Sequence, residues 1–209
     1  MDAERNRGRV LAAARKVFAE QGLQAPMSEV ARSAGVGVAT LFRRFATKDE
    51  LITAVFAEKM KAYAGAMDDA LADPDPWHGF CVYVERACAM QAEDRGFTDV
   101  LTVTFPTAKA FEAERNRAGA GFAELIARAK ATGRLRADFA HQDMVMILMA
   151  NAGVVAGTTD AAPDTWRRLI AYLIQSFAAE AAAPLPDPPT STQLYRALLR
   201  LQPAPQTQR

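Results

Sequence analysis

The sequence of 209 residues predicts an all-α fold. Apolar residues recur at helical spacing along nearly the whole chain, and glycines, prolines and capping residues separate the periodic segments. Only residues 101–105, LTVTF, alternate as a β-strand does. Because a lone strand would leave its backbone groups unpaired, we predict a short helix there as well.

The N-terminal quarter predicts three helices that share one small core. The first carries an apolar stripe from Val10 to Phe18 and ends near Gly22. Two short helices follow at residues 26–34 and 38–45, and the three residues between them include glycine. This spacing is typical of a helix-turn-helix. The predicted core residues are Leu11, Ala14, Phe18, Val30, Ala31, Val36, Leu41, Phe45 and Leu51.

Capping signals place the helices that follow. Thr47 and Glu50 form a capping box that begins a long helix, and Asp75 caps the next one, with Pro76 in its first turn. A Pro-rich segment at 183–189 precedes a short terminal helix. The predicted helices after the third span residues 47–71, 76–94, 108–132, 140–157, 163–181 and 191–201.

Basic residues are concentrated at the start of the chain. Residues 1–61 contain eleven Lys and Arg against seven Asp and Glu, a net charge of +4, whereas the remainder carries −3. This distribution favours a polyanion-binding head on a body with another task. Combined with the helix-turn-helix spacing, it predicts binding to double-stranded DNA.

The third predicted helix has an outer face suited to the major groove. When its apolar residues face the core, Val38, Ala39, Thr40 and Arg43 point outward. Small apolar side chains such as Val38 and Ala39 fit against thymine methyl groups, and Arg43 reaches bases or phosphates. The expected contacts to the DNA backbone come from Thr40, Arg44 and Lys48.

Residues 27–56, MSEVARSAGVGVATLFRRFATKDELITAVF, resemble the DNA-binding half of the tetracycline-repressor (TetR) family of bacterial regulators. The matching features are Val30-Ala31, Ala34-Gly35-Val36, Thr40-Leu41, the aromatic residues at 42 and 45, and Lys48 followed by Leu51. The resemblance covers about residues 8–60, and the rest is similar only in the number and length of its helices. It implies an all-helical homodimer on a palindromic operator, in which a bound small molecule changes the spacing of the two reading heads.

The resemblance also implies a set of DNA-binding residues, with three departures from the family pattern. Pro26 stands where the family usually has a Ser or Thr cap, Gly37 replaces a Ser cap, and Phe42 replaces a phosphate-binding Tyr. Because Phe42 lacks the hydroxyl, affinity for the DNA phosphates is expected to depend more on Arg43, Arg44 and Lys48. The implied set is Ser28, Gly37, Val38, Ala39, Thr40, Phe42, Arg43, Arg44 and Lys48.

We therefore predict three parts. Residues 1–50 form a helix-turn-helix DNA-binding domain, residues 51–182 a helical ligand-binding and dimerisation domain, and residues 183–209 a Pro-rich linker with a short terminal helix. Residues 140–157 are apolar nearly all round, which implies burial on several sides. With residues 163–181 they predict a two-fold interface between two copies of the chain.

Aromatic and methionine residues in the second part predict an apolar effector cavity, because such side chains line adaptable pockets in helical bundles. Asn151 lies within an apolar helix and needs a hydrogen-bonding partner from the backbone, water or a ligand. The lining predicts a lipophilic, neutral or weakly polar effector. The candidates are Trp77, Phe80, Cys81, Val84, Cys88, Phe105, Phe111, Phe122, Met144, Leu148 and Asn151.

Other classes of protein are not favoured. His78 and His141 have no partners at metal-ligand or catalytic spacing, so we predict no enzyme activity, metal or cofactor. The longest apolar run, residues 144–156, is too short to span a membrane. Two cysteines and the absence of a signal segment predict a cytoplasmic protein.

Three alternatives remain open. The regulator is thiol-responsive through Cys81 and Cys88, or it is independent of ligands, or the basic head binds a protein or a membrane surface. The effector, the operator, the sign of regulation and the role of the terminal segment are not determined by this pattern.

Overall fold

The computed structural model describes residues 2–102, 109–181 and 183–201. Within these ranges the chain is helical and contains no strand, only a single isolated β-bridge, so the predicted all-α fold is confirmed. The helices are α1 (Asp2–Gln21), α2 (Met27–Ala34), α3 (Val38–Arg44), α4 (Lys48–Ala72), α5 (Pro76–Glu93), α6 (Arg95–Thr102), α7 (Lys109–Ala131), α8 (His141–Thr158), α9 (Thr165–Phe177) and α10 (Ser191–Leu201).

Two boundaries differ from the predictions by more than two residues. α6 begins at Arg95, so the strand-like residues 101 and 102 are its last turn, and residues 103–105 lie outside the described ranges. α9 ends at Phe177 and not at 181, because the extended residue Ala178 pairs with Leu135 in the β-bridge. A single turn of 3₁₀ helix follows that residue.

Helices α1 to α3 form the N-terminal head. Phe18, Val30, Ala31 and Leu41 are fully buried at its centre, which is the core that the apolar spacing predicts. Gly35 ends α2 in the left-handed conformation with φ of 63°, a geometry that favours glycine. The chain therefore turns within three residues between α2 and α3.

Helix α4 runs without a break from the head into the larger unit. Half of the predicted capping box is formed: Thr47 Oγ1 accepts a hydrogen bond from the Glu50 amide at 3.1 Å, whereas Glu50 Oε2 accepts one from the amide of Ala46, at 2.8 Å, and not from that of Thr47. The predicted domain boundary after residue 50 falls in the first turn of this helix. The division into domains therefore stays a prediction.

The larger unit packs around α5, which contacts α4, α6, α7, α8 and α9. Aromatic rings fill its centre: Phe80 stacks on Phe122 with ring centroids 5.9 Å apart and meets Phe139 edge-on at 5.2 Å. α4 and α7 approach closely at Gly121, where an added Cβ would lie 2.6 Å from Cγ of Met67. The helices of the larger unit are therefore closely packed at this point.

Helix α6 connects the head to the larger unit. The Leu23 amide at the end of α1 donates a hydrogen bond to Oδ2 of Asp99 at 2.8 Å. An added Cβ at Gly96 would come within 2.7 Å of the Phe56 ring and 3.1 Å of the Phe18 carbonyl oxygen. The first turn of α6 therefore lies directly against α1 and α4.

Candidate nucleic-acid interface and effector cavity

Helix α3 presents a small exposed surface on the head. Leu41 and Phe45 are buried in the core, whereas Val38 is 42% exposed and Ala39 and Arg43 are exposed beside it. A valine this open on a seven-residue helix is not explained by packing within the chain. The outward face therefore suits contact with another molecule.

The turn before α3 holds that face in a defined orientation. The Gly37 carbonyl accepts hydrogen bonds from the amides of Thr40 at 2.9 Å and Leu41 at 3.1 Å, which begins the helix without a side-chain cap. The Val36 amide donates to the Ala31 carbonyl at 3.0 Å and fixes the end of α2. Backbone hydrogen bonds thus fix the end of α2 and the start of α3 on either side of the turn.

Cations surround the exposed face of α3. The Arg43 guanidinium folds back on its own helix and donates to the Ala39 carbonyl at 3.4 Å and to Thr40 Oγ1 at 3.3 Å. Arg44 is half-buried in the last turn. Lys48 is the first residue of α4, and burial lowers its pKa while the adjacent Asp49 partly offsets this effect. A cation is unfavourable at a helix N-terminus, because that end of the helix dipole is positive. A bound anion such as a phosphate would compensate the charge of Lys48 and of the dipole.

The other predicted DNA-binding residues lie around this surface. Ser28 is exposed in the first turn of α2, and Phe42 is 38% exposed on α3. Pro26 precedes α2 in an extended conformation and provides no side-chain cap. The Arg7 guanidinium of α1 lies 5.8 Å from the centroid of the Phe45 ring. The predicted residues are therefore exposed or half-buried on α2, on α3 and its preceding turn, and at the start of α4, and their role stays a prediction.

A cavity of about 380 Å³ lies between α4, α5, α6, α7 and α8 of the larger unit. Its walls combine aromatic rings with small residues that leave space between the helices. The lining residues are Tyr63, Tyr83, Leu101, Arg115, Asn116, Ala118, Gly119, Phe122, His141, Met144, Val145 and Leu148.

Three predicted pocket residues, Phe122, Met144 and Leu148, line this cavity. The others that can be placed do not line this cavity, because apolar spacing marks every inward residue and not the gaps between them, and their part in ligand binding stays a prediction. Phe80, Val84, Cys88, Phe111 and Asn151 are buried in packed core, and Trp77 and Cys81 are half-buried outside the cavity. Phe105 lies outside the described residues.

Asn151 finds its partners inside the protein. Its Nδ2 donates to the Cys88 carbonyl at 3.1 Å and to Oε1 of Gln91 at 2.9 Å. Both side chains are completely buried between α5 and α8. The Asn151 amide nitrogen therefore joins two helices, while Oδ1 of Asn151 and Nε2 of Gln91 are buried without a hydrogen-bond partner among the described residues.

Sequence reasoning missed the polar part of the cavity wall. Arg115 and Phe122 lie on one face of α7, spaced with Phe111 and Ala118 at intervals of three and four residues. An arginine on the apolar face of an amphipathic helix was the signal that could have identified it. The tyrosines Tyr63 and Tyr83 carried no such signal, because an inward tyrosine is common in helical cores.

The ionisable side chains that line the cavity are buried or partly buried, and this shifts their pKa values. Burial lowers the pKa of Arg115 and raises the pKa of both Tyr63 and Tyr83, whose phenol groups hydrogen-bond to each other. Partial burial also lowers the pKa of His141, whose ring meets Phe122 edge-on at 5.6 Å. At neutral pH the guanidinium is therefore the main charge on the wall.

A second, larger cleft has a different chemistry. It measures about 570 Å³ and lies between α1, α5, α6 and α8, with Glu20 and Asp160 among its lining. Two more of its carboxylates have structural partners: Asp94 pairs with Lys59 at 2.8 Å and Asp99 accepts from the Leu23 amide. This acidic cleft is therefore part of the joint between the head and the larger unit.

One face of α8 and α9 is apolar and open. Met146 is 41% exposed, and Ala150, Gly153 and Gly157 continue the same stripe on α8. Beside it an apolar groove of about 330 Å³ includes Leu173 of α9. An open apolar stripe of small residues fits close packing against another helix pair.

The cysteines and histidines form no reactive cluster. Burial raises the pKa of Cys81 to about 11 and that of Cys88 to about 12, so both thiols are protonated at neutral pH. His78 Nδ1 lies 2.7 Å from Oδ2 of Asp73 at the surface. In the described ranges, no three His, Cys, Asp or Glu side chains are grouped to hold a metal ion. None of the helices found there is long and apolar enough to cross a membrane.

Comparison with known proteins gives matches along most of the chain. The family model "Bacterial regulatory proteins, tetR family" matches residues 10–55, and "Transcriptional regulator SbtR-like, C-terminal domain" matches residues 75–175. Together these two models cover more than half of the chain.

Solved regulators share the fold. PfmR from Thermus thermophilus is 18% identical with a TM-score of 0.62, over 81% of this chain and 96% of that one. FadR from Bacillus subtilis, in complex with stearoyl-CoA, is 14% identical with a TM-score of 0.63, over 84% and 98%. SCO0520 from Streptomyces coelicolor is 26% identical with a TM-score of 0.50, over 82% and 98%.

Proposed function

Because the chain belongs to the TetR family of bacterial transcriptional regulators, we propose that it is a repressor that binds a palindromic operator as a homodimer. A small molecule in the cavity between α4 and α8 releases it from the operator. The observation that carries the proposal is the exposed face of α3, where Val38 and Arg43 project from a helix whose opposite side is buried.

DNA recognition follows from that geometry. α3 enters the major groove, and the small side chains of Val38 and Ala39 allow the helix to approach the base edges. Arg43 leaves its contacts within α3, which at 3.3 and 3.4 Å are weak, and turns to a base or a phosphate. Arg44 and Lys48 contact phosphates and set the register on the duplex.

Dimerisation is supported by the open stripe on α8. Met146, Ala150 and Gly153 let a second copy approach closely about a two-fold axis. Each copy then supplies one head, and the two recognition helices reach half-sites roughly one turn of DNA apart, about 34 Å, or more.

Coupling between the sites is supported by a run of aromatic contacts. Phe18 of α1 lies 6.3 Å from Phe56, which lies 6.2 Å from Phe97 of α6. Phe97 in turn lies 6.4 Å from Tyr63 on the cavity wall. A ligand that moves this wall moves the packing against α1, and it shifts operator affinity only by its differential affinity for the two arrangements.

The experiment begins with selection of bound duplexes from random DNA by the wild-type protein. We expect an inverted repeat, together with a dimer in sedimentation at micromolar concentration. Ala150→Glu places a charge on the open stripe and should give a monomer with at least 100-fold weaker operator binding. Ala127→Glu, an exposed alanine of α7, is the matched control and should bind as the wild type does. A wild-type monomer, or selected sequences without symmetry, would overturn the proposal.

A further inference from the structure

We propose that the cavity between α4 and α8 binds an aromatic carboxylic acid, whose carboxylate pairs with the guanidinium of Arg115 and whose rings pack against Tyr83 and Phe122. The inference rests on the proposed function only in that the bound acid is taken to be the effector. An acid differs from the neutral or weakly polar effector that the apolar sequence pattern predicts.

The guanidinium is built into the wall of the cavity. Arg115 lies on the same face of α7 as Ala118, Gly119 and Phe122, which all line the cavity. Its Nη2 donates a hydrogen bond to the Val100 carbonyl of α6, which fixes the side chain across two helices. A cation in this position costs desolvation, because apolar and aromatic side chains surround it.

The sign of the charge favours an anion. Among the described residues that line the cavity there is no Asp or Glu, and the pKa of His141 is lowered so that it is neutral at pH 7. Glu112 does not line the cavity, and its Oε1 forms an ion pair with Nη1 of Arg115 at 3.6 Å. A carboxylate matches the planar fork of arginine and would form shorter, paired hydrogen bonds.

The size and walls favour an aromatic body. A water molecule occupies about 30 Å³ in the liquid, so the cavity of about 380 Å³ holds roughly a dozen water-sized groups. Tyr83 and Phe122 lie 5.4 Å apart with rings tilted by 35°, and both line the same space as Met144 and Leu148. A two-ring acid fills this volume and places its carboxylate on the α7 side.

The test uses three probes of one shape: 2-naphthoate, 2-naphthylmethanol and 2-naphthylmethylamine. Calorimetric titration of the full chain at pH 7.5 should show that the acid binds at least tenfold more tightly than the alcohol, and the cationic amine least tightly. Arg115→Met should abolish this order. Arg117→Met is the control, because Arg117 lies on the same helix but pairs with Asp68 at the surface, and the order should remain.

A second variant covers the case in which Arg115→Met fails to fold. Gly119→Leu adds a side chain to the cavity wall, where an added Cβ meets nothing closer than 3.8 Å, and leucine also favours the helix. It should weaken 2-naphthoate binding at least tenfold without lowering the melting temperature.

Several results would overturn the inference. They are equal binding of acid and alcohol, preference for the amine, an acid preference that survives in folded Arg115→Met, or no binding of the acid to the folded wild type. Operator binding is measured separately on the selected DNA. Failure of the acid with intact operator binding rejects only this ligand, whereas absence of any selected operator rejects the proposed function.

Discussion

The head and the larger unit carry their sites in opposite ways. The head presents its site as an exposed surface on one seven-residue helix, α3, within a short run of sequence. The larger unit holds its site as an unfilled space between five helices, whose lining residues extend from Tyr63 to Leu148. A protruding surface is a property of a segment, whereas a cavity is a property of packing.

Because of this difference, substitutions at the two candidate sites should have different effects. Residues such as Val38 and Arg43 contribute little to the core, so substitutions there change recognition and leave stability intact. Residues around the cavity also hold the fold, so their substitution mixes the two effects. The joint at α6 is the place where the two kinds of site meet.

The largest expected effect is a loss of operator binding from one substitution in the head, with the larger unit unchanged. Val38→Glu puts a carboxylate on the face that we propose meets DNA, twice in the proposed dimer, and should weaken operator binding more than 100-fold through charge repulsion. The melting temperature should change little, because the side chain is 42% exposed.

Ala62→Glu makes the same kind of change at an exposed position of α4 and should leave affinity unchanged. Binding and melting are measured by fluorescence anisotropy and calorimetry. Val38→Glu affinity within threefold of wild type would remove α3 from the interface.

The next prediction concerns the two cysteines of the larger unit and tests the thiol-responsive alternative. The pKa of Cys81 is raised by burial, and further by Glu85, to about 11 from an ordinary value of 9.0. At pH 8 its thiolate fraction is therefore about 100-fold lower than in the unfolded chain. Cys88, with a pKa of about 12, is less reactive still.

Titration with a chromogenic disulfide should show slow labelling of the native protein and two rapidly labelled thiols after denaturation. Labelling should accelerate as the pH rises towards 11, because the thiolate is the reactive form. Rapid native labelling at pH 7 that releases operator DNA would favour the thiol-responsive alternative over the ligand-responsive one.

The smallest effect concerns the joint. Asp99→Asn weakens the charge-assisted hydrogen bond from the Leu23 amide and should cost about 1 kcal/mol of stability. Hydrogen exchange at the Leu23 amide should become faster, while binding at the cavity is unchanged. Asp69→Asn is the matched control, because Asp69 pairs with Arg86 at the surface and is exposed. Unchanged exchange at Leu23 would show that α6 does not hold the end of α1.

Local patterns were enough for the head and for the starts of α4 and α5. The side-chain cap at Thr47 and the cap at Asp75, whose Oδ1 accepts from the Trp77 amide at 3.0 Å, are formed as predicted. Each depends on residues within one turn of one another, and the outward face of α3 follows from helical periodicity alone. The sequence by itself therefore determined the helices, the helix-turn-helix and the resemblance to its family.

Only the tertiary structure decided which inward residues line the cavity. The same apolar spacing describes Phe80, which is completely buried in packed core, and Phe122, which borders the open space. Likewise, Asn151 bonds to Gln91 of another helix, and Arg115 reaches the carbonyl of Val100 on α6. The physical reason is that helical periodicity specifies which way a side chain points, whereas the partner it meets or the gap it leaves depends on the volumes of side chains far away in the chain.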